Sequence, residues 1–245
     1  MDTTHLVLLF LAIGVIALLY SSVGHAGASG YIATMTLFGL APAVVRPTAL
    51  MLNILVASIG TFQFWRAGHF SWKLFWPFAL LSIPAAYLGG YLQPSASVLR
   101  ILIGVVLLFS AARLLFRRRD PMETSPPSVP VAVAVGAGLG FLAGLTGTGG
   151  GIFLTPLLLC CEWARIREAA AVSALFIWVN SIAGLVGYFT KVHSVPSLGF
   201  ILAAAAIVGG IIGSHLGSKH LAVRVISLCL ATVLLIAGVK LIFTR

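Results

Sequence analysis

Apolar residues run through this chain in long blocks, and polar residues are confined to short gaps between them. Runs can be read at 5–22, 28–41, 47–66, 74–93 and 97–116, and a second set at 130–145, 150–161, 168–189, 195–218 and 222–243. A helix crossing a bilayer needs about 20 such residues, so most of the runs are long enough to span. Those at 28–41 and 150–161 are short for a crossing and are expected to form half-helices or re-entrant pieces. The segment 117–128, Arg-Arg-Arg-Asp-Pro-Met-Glu-Thr-Ser-Pro-Pro-Ser, is the strongly polar linker. Its three arginines, with Arg113, put it on the cytoplasmic side. The first run has no Lys or Arg up to Tyr20 and no evident cleavage site, so it reads as a retained helix.

A polar linker at the middle of the chain prompts a search for duplication. Gly24, Gly27, Gly30 and Ile32 recur as Gly144, Gly147, Gly150 and Ile152, each 120 residues on. Gly89, Leu92 and Arg100 recur as Gly213, Leu216 and Arg224 at an offset of 124. Two ordered sets with the same flanking runs point to two homologous halves, 1–116 and 129–245, joined by 117–128. If the second half crosses an odd number of times, Arg165, Arg167, Lys219 and Arg224 fall on the linker's side, as the positive-inside bias favours. The expected fold is therefore an all-α polytopic membrane protein with inverted halves, each a glycine-broken helix pair followed by three spanning helices.

Composition sharpens this reading. Hydrophobic residues make up 60% of the 245 and charged residues only 8%, against about 25% charged in a soluble domain. Lipid is the solvent that suits such a surface. The net charge of +10 would suggest nucleic acid in a soluble chain, but the basic residues lie mostly at the ends of apolar runs, where they meet headgroups. No nucleic-acid partner is expected; membrane lipids are. Trp65, Trp72 and Trp76, around Arg66 and Lys73, fit an interfacial belt. Cys160, Cys161 and Cys229 have no metal or redox spacing. The histidines are scattered too, and His215 and His220, five apart, belong on different faces of an α-helix. No metal is expected.

The informative segments are Gly24-His25-Ala26-Gly27-Ala28-Ser29-Gly30 and Gly144-Leu145-Thr146-Gly147-Thr148-Gly149-Gly150-Gly151. Each interrupts an apolar run, and broken backbone in a membrane survives only beside a cavity or inside protein. Paired interruptions of this kind point to a transporter's binding site. Where a loop gives way to a helix, free N–H groups and the positive helix end favour an anion. Ser29, Thr146 and Thr148 add hydroxyls, and His25 a ring N–H or a charge. Tight helix packing through small residues is the alternative for the glycines.

The five acids, Asp2, Asp120, Glu123, Glu162 and Glu168, all lie at termini, linker or run ends. Cation carriers and proton relays place carboxylates inside the membrane, so their absence there also favours an anion. Asn53 and Asn180 lie within the helices after the two glycine segments, as substrate contacts or interhelical glue. Arg46 and Arg167 open those helices; Arg46 draws anions in or snorkels to headgroups, and Arg167 pairs with Glu162 or Glu168. No nucleophile-and-base arrangement is evident, and Gly147 to Gly151 lacks the Gly-Lys-Ser/Thr ending of a phosphate-binding loop. The chain is not expected to be an enzyme.

At these residues the sequence resembles the sulfite exporter TauE/SafE family of membrane permeases. The match runs from Gly144 to Gly151, through Pro156, to Arg167-Glu168-Ala169 and Asn180-Ser181, with the first-half counterpart from Gly24 to Arg46-Pro47-Thr48-Ala49-Leu50 and Asn53. Ser29 stands where the second half has Gly149, Tyr31 where it has Gly151, and His25 where it has Leu145. The resemblance implies secondary transport of sulfite or organosulfur anions such as sulfoacetate across the bacterial inner membrane, without a cofactor. The expected substrate-binding set is His25, Gly27, Ser29, Gly30, Arg46, Asn53, Thr146, Gly147, Thr148, Gly149, Gly150 and Asn180. A passive anion channel and a membrane assembly protein are the alternatives, and a homo-oligomer is left open.

Overall fold

Eight α-helices account for the described apolar runs: α1 (Thr3–Ser21), α2 (Ala28–Leu37), α3 (Pro42–Arg66), α4 (Trp72–Tyr91), α5 (Val129–Thr146), α6 (Gly151–Cys160), α7 (Ile166–Lys191) and α8 (Leu198–His215). The structure is a computed structural model that describes residues 3–92, 108, 112, 124–192, 197–222, 225, 228, 231, 232, 235 and 239. The expected spans at 97–116 and 222–243, and residues 117–123 of the linker, lie outside these apart from the isolated positions. No strand occurs among the described residues. Among the described residues, six helices are long and apolar enough to cross a membrane: α1, α3, α4, α5, α7 and α8. The protein is an all-helical, multi-pass membrane protein.

The two short runs behave as their length requires. Helices α2 and α6 have 10 residues each, about 15 Å of rise, or half of a hydrocarbon core about 30 Å thick. Both begin at a left-handed glycine: Gly27 at φ 104° and Gly150 at φ 83°. Gly24 and Gly147, at φ 79° and 75°, mark the preceding turns. By backbone conformation Gly24 pairs with Gly147 and Gly27 with Gly150, an offset of 123 in place of the expected 120. Ala28, not Tyr31, then corresponds to Gly151.

Helix faces are not sorted by polarity, and on α8 they are sorted by size. On α1, Val7, Leu11, Val15 and Leu19 point outward while Leu9, Ile13 and Ala17 are buried. On α8, Phe200, Val208 and Ile211 face out and Ala205, Gly209 and Gly213 face in. Large side chains toward lipid and small ones toward protein is the membrane pattern, because apolar burial gains nothing from lipid and close backbone approach gains dispersion. Gly136, Gly140 and Gly144 of α5 stack on Phe78, Ser82 and Ala86 of α4, where an added Cβ would overlap each carbonyl. Gly209 and Gly213 of α8 and Gly217 just beyond it meet Gly14, Leu18 and Ser22 in the same way. Helix α1 thus packs on α8, and α4 on α5.

The two longest helices among the described residues, α3 and α7, pack against each other. The Tyr188 hydroxyl donates to the Ala43 carbonyl at 3.0 Å, Asn53 meets Ser181, and a Cβ at Gly60 would lie 3.8 Å from that of Ala174. Residue numbers rise on one as they fall on the other, so the two run antiparallel. Each carries an arginine near its start that holds a distant helix end. Arg46 donates to the carbonyls of Gly89 (3.0 Å), Gly90 (3.2 Å) and Leu92 (3.4 Å) at the end of α4, and to Gly144 of α5. Arg167 donates to the Leu221 carbonyl at 2.9 Å. Leu92 and Leu221 are both the residues that end their helices. Cations at helix C-termini complement the exposed carbonyls.

Beyond α8 the chain makes one π-helical turn, Leu216–His220. This corrects the expectation for His215 and His220, whose rings lie 5.2 Å apart. Five residues separate faces on an α-helix but nearly complete a turn when hydrogen bonds run from i to i+5.

Candidate functional site

The second glycine segment sits between the two central helices because only glycine can follow its path. Gly147, Gly149 and Gly150 all have positive φ, which costs L-residues energy. An added Cβ at Gly149 would lie 2.6 Å from Ser181 Oγ, 2.8 Å from Ile177 and 2.9 Å from Asn53 Nδ2. At Gly150 it would meet the Phe176 ring, and at Gly147 the Cγ of Arg46. Asn53 donates its amide to the Thr148 carbonyl at 3.2 Å and to Ser181 Oγ at 3.4 Å. Helix α3 therefore holds one side of the loop and α7 the other.

The first glycine segment reaches the same place through His25. Its ring is buried, and Nε2–H donates to the Gly151 carbonyl at 2.9 Å. Gly24 lies against Ala170 at the start of α7, with no room for a Cβ. The two loops, 126 positions apart at this contact, are joined directly.

Both short helices open without a side-chain cap. The first amide bonds are Tyr31 to Gly27 in α2 and Phe153 and Leu154 to Gly150 in α6. The N–H groups of Ala28, Ser29, Gly30, Gly151 and Ile152 have no hydrogen-bond acceptor among the described residues. Ala28, Gly151 and Ile152 are buried, where a donor left unpaired costs about 1–3 kcal/mol, and at a helix N-terminus the field adds to the attraction for an anion.

The other expected residues divide. Asn180 is fully buried and gives its amide to the Phe176 carbonyl, 2.9 Å away in its own helix. Thr146 donates to the Leu142 carbonyl at 2.7 Å, and its oxygen lies 2.8 Å from the Thr148 hydroxyl. Ser29 donates to the Tyr20 hydroxyl at 3.0 Å, and Gly30 faces Ile16 and Tyr20. Those two therefore look back to α1, away from the second loop. Arg46 stands beside Gly147 with its guanidinium on helix-end carbonyls and over the Tyr188 ring at 5.6 Å. It is neither snorkelling nor free.

Sequence reading did not single out Tyr20, Ile177 or the Gly151 carbonyl. Nine residues between Tyr20 and Ser29 match no helical spacing, and Ile177 is one apolar residue among many. Four buried atoms at the site have no partner: His25 Nδ1, Arg46 Nε, Asn53 Oδ1 and Asn180 Oδ1. Among the described residues no group of three or more His, Cys, Asp or Glu is gathered as a metal site would need.

The family model for the sulfite exporter TauE/SafE matches residues 9–241. A probable membrane transporter protein of Sinorhizobium fredii is 40% identical over 242 residues, covering 96% of this chain and 97% of that protein. A probable membrane transporter protein of Methanocaldococcus jannaschii is 25% identical, over 70% of this chain and 67% of that one. A third, from Bacillus subtilis, is 24% identical over 89% and 92%. No solved structure matches.

Proposed function

The chain belongs to the sulfite exporter TauE/SafE family, and on that premise we propose that it is a secondary transporter of small sulfur oxyanions, sulfite or sulfonates such as sulfoacetate, across the bacterial inner membrane. The observation that carries this reading is the pair of uncapped short helices, each entered through a left-handed glycine and brought together where His25 meets Gly151. Their free N–H groups are donors without acceptors, and an oxyanion brings acceptors without donors. The hydroxyls of Ser29, Thr146 and Thr148 join once they turn from their present partners, and Arg46 supplies positive charge beside the second loop.

Transport would follow from rocking of the two halves about the fixed site. The antiparallel course of α3 and α7 supports inverted halves, and so does the pairing of α1 with α8 against that of α4 with α5. Flux of sulfur-labelled sulfite into proteoliposomes tests the proposal, with sulfoacetate, sulfate and thiosulfate as competitors and the membrane potential clamped. Saturable uptake blocked by one competitor is expected. Non-saturable flux set by potential alone would identify a channel, and no flux above empty liposomes would refute the sulfur-anion assignment.

A further inference from the structure

Beside one donor, Arg46 Nε, three of the unpartnered side-chain atoms around the second glycine loop are acceptors. Asn53 and Asn180 each commit their amide N–H to a carbonyl, Thr148 and Phe176 respectively, and so turn a carboxamide oxygen elsewhere. Both oxygens are buried without a donor. His25 gives Nε2–H to the Gly151 carbonyl, which in the neutral ring leaves Nδ1 as a lone-pair acceptor; it too is buried and unpartnered. Reversing either amide would set oxygen against oxygen, so these assignments follow from the network.

The three acceptors belong to one neighbourhood. Asn53 touches Thr148, and His25 touches Gly151. On α7, Ser173, Phe176, Ile177 and Ser181 all lie against Gly149 to Gly151. Asn180 stands three and four residues from Ile177 and Phe176, and so shares that face. The same stretch carries the free N–H groups of α6. The site therefore offers donors from the backbone and acceptors from side chains.

We infer that the substrate is an anion that also carries a hydrogen-bond donor, a monoprotonated oxyanion or a hydroxylated sulfonate, with its oxyanion on the α6 N–H groups and its hydroxyl on the Asn53 and Asn180 oxygens. The inference rests on the reading that the loops hold an anion and narrows the class. A bare oxyanion leaves all three acceptors unpaired. A site built to bond a hydroxyl discriminates against the analogue that lacks it, because its own polar groups are left without partners.

The test compares 2-hydroxyethanesulfonate with ethanesulfonate in proteoliposomes of the full chain. The two have the same charge and differ by one hydroxyl. The wild-type protein is expected to carry the hydroxylated probe with a kcat/KM about tenfold or more above the other, and Asn180→Leu to bring the ratio close to one. Among the described residues the Asn180 amide bonds within its own helix, so the variant removes an acceptor and no hydrogen bond between helices; the wild-type ratio serves as the test even if the variant folds poorly. Equal transport of both probes by the wild type would overturn the inference and leave the oxygens to ordered water. Equal transport that requires sodium would overturn it by giving them to a cation. No flux of these probes or of sulfite would refute the anion reading beneath it.

Discussion

At Gly150 the backbone sits at φ 83° with the Phe176 ring and the Ala143 methyl close by. A side chain there meets two penalties, a left-handed backbone at about 1–2 kcal/mol and a steric clash that must push helix α5 or α7 aside. Gly68, at φ 78°, has nothing within 4 Å of an added Cβ and so meets only the first. Gly150→Val is expected to lose more than nine-tenths of transport, and Gly68→Ala to keep it. Sulfite flux normalised to reconstituted protein checks both. Equal losses would make backbone strain anywhere in the chain the determinant, and the site would lose its special standing.

At the scale of elements the arginines act as caps. Among the described residues Arg46 serves the ends of two helices through four carbonyls, whereas Arg167 has one such bond. Hydrogen bonds to a charged group contribute about 1.5–3 kcal/mol each, though not additively. Arg46→Met should therefore lower stability by about 3 kcal/mol or more, clearly beyond Arg167→Met, as read from thermal unfolding in detergent. The short helices were legible from run length alone, because a ten-residue helix cannot cross. The register between the loops was not. Glycine is written with one letter whether its φ is positive or negative, so counting aligned Gly24 with Gly144 although the left-handed positions pair it with Gly147. The role of Arg46 was hidden for a different reason. Its acceptors lie 43 to 98 residues away and are main-chain carbonyls, which carry no residue identity. His215 and His220 were misplaced because a π turn leaves no mark in composition.

The whole molecule turns on the contact between α3 and α7. A Cβ at Gly60 would lie 3.8 Å from that of Ala174, the spacing of a disulfide. With Cys160, Cys161 and Cys229 replaced, the pair Gly60→Cys and Ala174→Cys should cross-link on oxidation. Transport by rocking of the halves predicts that flux then stops and returns on reduction. Undiminished flux in the cross-linked protein would mean that these helices move as one body.

The packing of α1 against α8 bears on how the protein is made. Synthesis delivers Thr3–Ser21 well before Leu198–His215, so α1 waits in the bilayer while the helices between them are still being threaded. Gly14, the notch that will receive Gly209, stays filled by lipid until then. Helix α1 must be at home in lipid on every side before it becomes part of a wall, and its outward leucines and valines and inward leucine, isoleucine and alanine meet that requirement.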